Sequence, residues 1–289
     1  MTLAELVADT ERQLTHAGVS FGHGTTNARD EAAWLVLHAL GLPLDIDIDG
    51  SAGKQPAAPD GQARAATLLK ARIDTRQPLA YLLKEAWLQG VPFYVDERAI
   101  VPRSLIAEVL ADGSIDPWLS DQTRRVLDLC TGNGSLAVLA ALAWPEVQVD
   151  AADLSVEALA VARINVEKHG LKDRIKPIES DGLHNCPGPY DLILCNPPYV
   201  NVASMAALPA EFRAEPALAL AGGADGMDFI RALLRDAPTR MNERAVLVLE
   251  IGHERTHFEA AFPRLNPVWL DTSAGGDQVL LLTCEALAP

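Results

Sequence analysis

The segment Asn196-Pro197-Pro198-Tyr199 places a side-chain amide, two prolines and a phenol directly after the apolar run Leu192–Cys195. Each proline fixes its own φ and lacks a backbone donor, and the second proline also restricts the first. The carbonyl groups of Asn196 and Pro197 are therefore held in set directions as unused acceptors. Such a loop suits a planar NH2 group, because it accepts the two hydrogens and leaves the nitrogen lone pair free to attack. An Asn-Pro pair alone also fits an ordinary turn at the end of a strand.

A glycine loop precedes this segment, with Asp128, Gly132 and Gly134 at the end of another apolar run. Glycines let the backbone turn tightly and approach a ligand at the carboxyl edge of an open α/β sheet. Asp153 ends the next apolar run, about twenty residues on, where a carboxylate accepts both hydroxyls of a ribose. A nicotinamide dinucleotide fits the same pattern, so the loop does not choose between cofactors. Asp153 could also serve only the dipole of the following helix.

The sequence leaves the roles of two further carboxylates, Asp128 and Asp181, open. Asp128 could hold the loop or meet a cationic ligand. Asp181 closes a third apolar run and suits an adenine amino group, although a plain turn explains it nearly as well. The four cysteines form no CxxC pair, so we expect neither a disulfide nor a metal site.

Alternating strand and helix patterns must position these residues. After Ser120 they predict seven strands with helices between most of them, and hence a parallel doubly wound α/β sheet. A tight glycine turn joins the last two strands, so the last strand must run antiparallel. Apolar residues at helical spacing predict a small helical domain over residues 1–84, and a β-hairpin over 85–101 links it to a domain over 102–289.

Composition excludes several classes of protein. The hydrophobic fraction of 49% and the charged fraction of 22% are those of a globular protein. A net charge of −15 repels nucleic acid and attracts basic partners. No apolar run approaches the roughly 18 residues of a membrane span, and no signal-peptide pattern is present. We therefore expect a cytoplasmic protein with neither DNA nor a membrane as its partner.

The motifs together resemble the amino-methylating group of class I S-adenosylmethionine-dependent methyltransferases. The resemblance implies that S-adenosylmethionine is the cofactor and that no metal takes part. It implies these cofactor-binding residues: Asp128, Thr131, Gly132, Gly134, Asp153, Asp181 and Asn196. It also implies that Asn196, Pro197, Pro198 and Tyr199 bind the substrate, with Asn196, Pro197 and Tyr199 catalytic. Cys130 replaces a glycine of the general loop, which implies that Cys130 itself makes no cofactor contact.

The segments outside the loops narrow the resemblance to the protein-glutamine N5-methyltransferases. They are Val101–Ser104, Glu215-Pro216, Gly222–Gly226 and the helical domain. Phe21–Thr25 and Leu208–Pro216 are most similar to the branch that methylates the third large-subunit ribosomal protein. The implied partner is that protein, alone or in the assembling large ribosomal subunit, with the helical domain as the recognition domain. We expect residues 201–226 to cover the active site together with this domain.

Several alternatives stay open. The same chemistry could act on a class I peptide release factor, although residues 102–108 depart from the Pro-Arg-Pro-acid-Thr-Glu run of that branch. An exocyclic base amine of a nucleic acid would fit the same loop but requires a basic face. A nicotinamide-dependent dehydrogenase would leave Asn196–Tyr199 unexplained. A catalytically dead protein that binds the ribosome is the remaining alternative.

Overall fold

A computed structural model describes residues 1–288. The chain divides into two compact units. The first contains Met1–Ala86 and a later segment, Pro209–Glu215. The second contains Trp87–Leu208 and the residues from Pro216 onward. The sequence patterns did not indicate that residues 209–215 belong with the helical unit.

Capped amphipathic helices build the first unit. Thr2 and Glu5 form a reciprocal capping box at the first helix, and Gly18 ends that helix in the left-handed conformation, as its position after the apolar pattern predicted. Asn27 caps the second helix and Gly41 ends it. The helices are α1 (Leu3–Ala17), α2 (Ala28–Leu40), α3 (Pro59–Thr75) and α4 (Leu79–Leu83).

Buried charges hold the later segment within this unit. Arg72 is fully buried, and its Nε donates to Glu31 Oε1 at 2.7 Å. Its Nη1 donates to Glu211 Oε1 at 3.3 Å, and the same oxygen accepts from the Ser20 amide at 3.0 Å. The His23 ring lies 4.3 Å from the Phe212 ring. Residues 209–215 are therefore a packed part of the helical unit.

A seven-stranded sheet forms the centre of the second unit within the described residues, and a two-stranded hairpin precedes it. The hairpin strands are β1 (Ala86–Leu88) and β2 (Val91–Phe93). The sheet strands are β3 (Arg125–Leu129), β4 (Gln148–Asp153), β5 (Ile175–Glu179), β6 (Tyr190–Cys195), β7 (Met241–Glu250), β8 (Val268–Thr272) and β9 (Gly275–Thr283). Their order in the sheet is β5-β4-β3-β6-β7-β9-β8.

Strand β9 is antiparallel to both of its neighbours, β7 and β8, and the other pairs are parallel. This confirms the predicted sheet with its last strand antiparallel. The order reverses between β3 and β6, and open α/β sheets bind ligands beside the carboxyl ends of strands at such a switch point.

Apolar side chains cover both faces of the sheet. In β6, Leu192 and Leu194 lie in one buried cluster, whereas Ile193 and Cys195 lie in the other. The sequence of a strand that is buried on both faces is a continuous apolar run, and such strands are typical of a doubly wound sheet. The remaining helices are α5 (Ile106–Ala111), α6 (Ser135–Ala143), α7 (Val156–Lys168), α8 (Val202–Ala207), α9 (Ala210–Arg213), α10 (Asp228–Asp236), α11 (Arg255–Ala261) and α12 (Cys284–Leu287).

Helix α10 ends at Asp236, a short 3-10 turn follows, and β7 begins at Met241. Pro238 lies in that turn, and a proline cannot continue the hydrogen-bonding pattern of a helix. No helix among residues 1–288 is long and apolar enough to cross a membrane.

Candidate active site

The glycine loop joins β3 to α6 in a conformation that few side chains adopt. Gly132 has φ 54° and Gly134 has φ 82°, both in the left-handed region that favours glycine. A Cβ on Gly134 would lie 3.1 Å from the Ala162 side chain of α7. A Cβ on Gly132 would meet nothing within 4 Å. Gly134 thus permits close packing, and Gly132 borders open space.

The Asp128 side chain holds this loop in place by accepting hydrogen bonds. Its Oδ2 accepts from the Thr131 hydroxyl at 2.5 Å and from the Ala137 amide at 2.9 Å. Its Oδ1 has no hydrogen-bond partner among the described residues. The side chain is almost fully buried, and this burial raises the pKa of Asp128 to about 7. Of the two roles left open by the sequence, the structure shows the loop-holding one.

Asp153 is the last residue of β4 and accepts a hydrogen bond from the glycine loop. Its Oδ2 accepts from the Gly132 amide at 2.8 Å, and its Oδ1 accepts from the Ser155 amide at 2.9 Å. Burial raises the pKa of Asp153, and the backbone amides oppose that shift. Each oxygen keeps a lone pair beyond these bonds. Asp153 is therefore equipped to accept a pair of hydroxyl hydrogens from a ligand.

Asn196 follows β6 on the other side of the switch point. Leu129 and Cys195 are register partners, so the residues that follow them, Cys130 and Asn196, leave the sheet side by side. Cys130 has φ 61°, an uncommon conformation for a residue other than glycine. Although the family resemblance implied that Cys130 makes no cofactor contact, it lies in the wall of the cavity described next.

One cavity opens beside these strand ends, with about 1030 Å³ of empty space including its solvent-open mouth. Its walls include the following predicted site residues: Thr131, Gly132, Asp153, Asp181, Asn196 and Pro198. Asp128, Gly134, Pro197 and Tyr199 are not among the described residues that line it. The structure thus brings together six of the ten predicted residues as lining, and the other four are not part of that lining.

The Tyr199 side chain lies close to Glu250 and Gly252. Its hydroxyl donates to Glu250 Oε1 at 3.2 Å. A Cβ on Gly252 would lie 2.5 Å from the Tyr199 ring, and a Cβ on Gly226 would lie 2.3 Å from the Tyr199 carbonyl oxygen. The glycine-rich motif at residues 222–226 is thereby explained, because its backbone packs directly on the backbone of Tyr199.

Sequence reasoning missed Glu250 and the cavity wall formed by Pro102–Ser104. A signal for Glu250 was present, since it is an acid at the carboxyl end of an apolar run, as Asp153 is. Ser104 carried no such signal, because its contact with Glu250 joins residues 146 positions apart.

Comparisons with known proteins show that this chain is similar to methyltransferases. The family model described as "Methyltransferase small domain" matches residues 112–223. A ribosomal protein uL3 glutamine methyltransferase of Bordetella pertussis is 53% identical over 99% of this chain and 96% of its own length. A protein of the same name from Burkholderia pseudomallei is 48% identical over 99% of this chain and 95% of its own length.

A solved structure shares the fold at low sequence identity. The hMettl16 catalytic domain in complex with MAT2A 3'UTR hairpin 1 has a TM-score of 0.52 and 16% identity. The match covers 78% of this chain and 80% of that chain. The similarity extends the methyltransferase fold to more of the chain than the family model covers.

Proposed function

The chain belongs to the ribosomal protein uL3 glutamine methyltransferase family, and we propose that it transfers a methyl group from S-adenosylmethionine to the side-chain amide nitrogen (N5) of a glutamine in ribosomal protein uL3. The position of Asn196 carries this proposal. Asn196 lines the same cavity as the glycine loop and Asp153, from the neighbouring strand end. The methyl donor and the substrate amide that receives the methyl group would meet there.

The cavity residues fit S-adenosylmethionine. Asp153 keeps lone pairs for the ribose hydroxyls, and Asp181 lines the cavity beyond it, where it would accept from the adenine amino group. Asn133 also lines the cavity, and its buried Nδ2 has no hydrogen-bond partner among the described residues. A buried donor without a partner is costly, so a ligand acceptor would compensate it. S-adenosylmethionine, when bound, supplies an electrophilic methyl group on a sulfonium.

Asn196 and Pro197 would orient the substrate amide. An amide nitrogen is a poor nucleophile because its lone pair is delocalised into the carbonyl group. If Asn196 Oδ1 and the Pro197 carbonyl accept its two hydrogens, they aim the nitrogen and favour the positive charge that develops on it. Pro198 lines the cavity beside them, and Tyr199 supports the loop. We propose that the proton then leaves to water.

Charge favours a basic protein as substrate. The chain carries a net charge of −15, and opposite charge speeds the encounter of two proteins. We assign recognition of uL3 to the helical unit, with free uL3 or the assembling large subunit as the form recognised. Such a substrate implies that the enzyme acts in the cytoplasm.

Label mapping tests the function. Unmethylated uL3, a class I release factor and ribosomal RNA are each incubated with the enzyme and isotope-labelled S-adenosylmethionine, and mass spectrometry locates the label. We expect label on a glutamine side chain of uL3. Label confined to the release factor would reassign the substrate, and label confined to RNA would overturn the choice of a protein amide.

Asn196→Ala tests the mechanism in the same assay. Loss of one preorganised acceptor should lower kcat by about 10²-fold while calorimetry finds S-adenosylmethionine affinity largely retained. Asn242→Ala is the matched control, because Asn242 bonds Asp191 near the start of β6, far from the cavity edge of the sheet. Unchanged turnover in Asn196→Ala would exclude this role of Asn196.

A further inference from the structure

Glu250 is a buried carboxylate that the proposed chemistry does not use. It is the last residue of β7, at the same edge of the sheet as the cavity. Cys195 of β6 and Leu249 of β7 are register partners, so Asn196 and Glu250 follow at neighbouring strand ends. Only 4% of Glu250 is exposed to solvent.

Its two oxygens bind groups from two separate segments. Oε2 accepts from the Ser104 hydroxyl at 2.5 Å and from the Leu105 amide at 2.9 Å. Oε1 accepts from the Tyr199 hydroxyl at 3.2 Å. All three donors are neutral groups, and burial raises the pKa of Glu250, which the hydrogen bonds oppose. A buried carboxylate without a cationic partner costs stability that an apolar side chain would not.

The two segments that Glu250 joins are walls of the same cavity. Ser104 is part of its lining, and so are Asn196 and Pro198. The loop between β6 and Tyr199 is thus held at both ends. The parallel ladder fixes Cys195, and the bond to Glu250 together with the close approach of Gly252 fixes the Tyr199 ring.

We propose that Glu250 is a positioning residue for the methylating site, which holds Tyr199 against the Ser104 segment and so fixes the Asn196-Pro197 acceptors between them. The inference rests on the proposed role of those acceptors. Glu250 touches no reacting atom and acts through Tyr199. Loss of the Glu250 hydrogen bonds should therefore lower turnover. The affinity for S-adenosylmethionine should stay the same, because the cofactor pocket lies on the far side of the switch point.

Glu250→Gln and Tyr199→Phe test this role. Glutamine replaces one of the two accepting oxygens with a nitrogen that cannot accept, so E250Q should lower kcat by about tenfold or more. The KM for substrate and the affinity for S-adenosylmethionine should change by less than about twofold, because uniform binding is not altered. The double variant should be no slower than the slower single variant, since both changes act on the hydrogen bond between Tyr199 and Glu250. Independent, multiplying effects would overturn the proposal, as would unchanged kcat in E250Q.

Glu108→Gln is the matched control. Glu108 also accepts from a serine hydroxyl and a backbone amide, at 2.6 and 2.7 Å, but both belong to Ser273 in the turn between β8 and β9. The same substitution there should leave kcat unchanged. An equal loss of kcat in E108Q would show that the E250Q effect is a general response to losing a carboxylate.

Amide hydrogen exchange supplies a readout that does not require turnover. Exchange at Tyr199 and Val200 should become several-fold faster in E250Q and in Y199F, while β3 keeps its protection. Y199F removes only one hydroxyl and leaves Glu250 in place, so it decides the question even if E250Q fails to fold. Unchanged exchange in Y199F would overturn the proposal. Faster exchange in an enzyme that leaves uL3 unlabelled would support the Glu250 contact while the proposed substrate fails.

Discussion

Three carboxylates stand near the cavity, and their surroundings give each a different task. Asp128 turns one oxygen into the glycine loop, and its other oxygen has no hydrogen-bond partner within residues 1–288. Asp153 shares its oxygens between two backbone amides and still lines the cavity. Glu250 connects Tyr199 to Ser104. Residue type alone therefore does not assign the role, because the role depends on where each oxygen finds its donors.

Asp128→Asn should change the pH dependence of stability. The folded state raises the pKa of Asp128 from 3.8 to about 7, so it binds this proton more tightly than the unfolded chain does. The contribution to the free energy of unfolding therefore falls as pH rises from about 4 to about 7, by on the order of 4 kcal/mol. Asparagine keeps an acceptor for Thr131 and Ala137 but does not titrate, so this fall should disappear.

Urea denaturation at a series of pH values measures the difference. The curves of wild type and D128N should diverge from pH 4 to pH 7, with the variant more stable at neutral pH. Parallel curves across that range would mean that Asp128 is ionised in the folded protein throughout.

At the scale of elements, the strand ends act together. In sheet order, β5, β4, β3, β6 and β7 lead to Asp181, Asp153, the glycine loop, Asn196 and Glu250. Parallel strands end at one edge of a sheet, so residues far apart in the chain become neighbours there. The glycine loop must satisfy two demands at this edge, since it packs on α7 through Gly134 and borders the cavity through Gly132.

Substituting alanine for Gly132 and for Gly134 in turn should distinguish the role in cavity lining from the role in packing against α7. Each substitution forces a left-handed conformation that costs about 1–2 kcal/mol. Gly134→Ala also places a Cβ 3.1 Å from Ala162, so it should lower the melting temperature more than Gly132→Ala does. Gly132→Ala fills space beside the cavity, so it should weaken S-adenosylmethionine binding more than its loss of stability explains. Thermal unfolding and calorimetry on both variants check this, and equal effects of the two substitutions would refute the division.

At the scale of the whole molecule, the chain after the Asn196 loop passes through both compact units. It leaves the methyltransferase unit at Leu208, packs in the helical unit through Glu211, and returns at Pro216. Leu218, just after the return, lines the cavity. The segment expected to cover the active site is therefore anchored in one unit and contributes a wall in the other.

Arg72→Ala should unfold this anchor. It leaves Glu31 buried without its guanidinium partner and removes one of the two guanidinium partners of Glu211, the other being Arg76. Loss of the partner of a buried charge costs about 3–5 kcal/mol. Hydrogen exchange should rise in α2, α3 and residues 209–215 before it rises in the central sheet. Arg12→Ala is the control, because Arg12 pairs with Asp9 on the exposed face of α1, and such a pair is worth about 0–1 kcal/mol. Equal effects of the two substitutions would contradict the anchoring role.

Local patterns were enough to predict the strands, the antiparallel last strand and the loops that carry Gly132, Asp153 and Asn196. Apolar runs, glycines and prolines restrict the chain through their immediate neighbours, so the sequence by itself determined these features and, with them, the methyltransferase fold and the family. The roles of the individual site residues remain predictions.

Only the tertiary structure decided that β9 lies between β7 and β8, that residues 209–215 pack in the helical unit, and that Glu250 joins Tyr199 to Ser104. Each of these results depends on which distant elements become adjacent when the apolar surface is buried. A hydrogen bond between residues 104 and 250 has no local signature, because neither neighbourhood contains its partner. The Asn196 loop could therefore be recognised in the sequence, whereas the carboxylate that holds it in place could not.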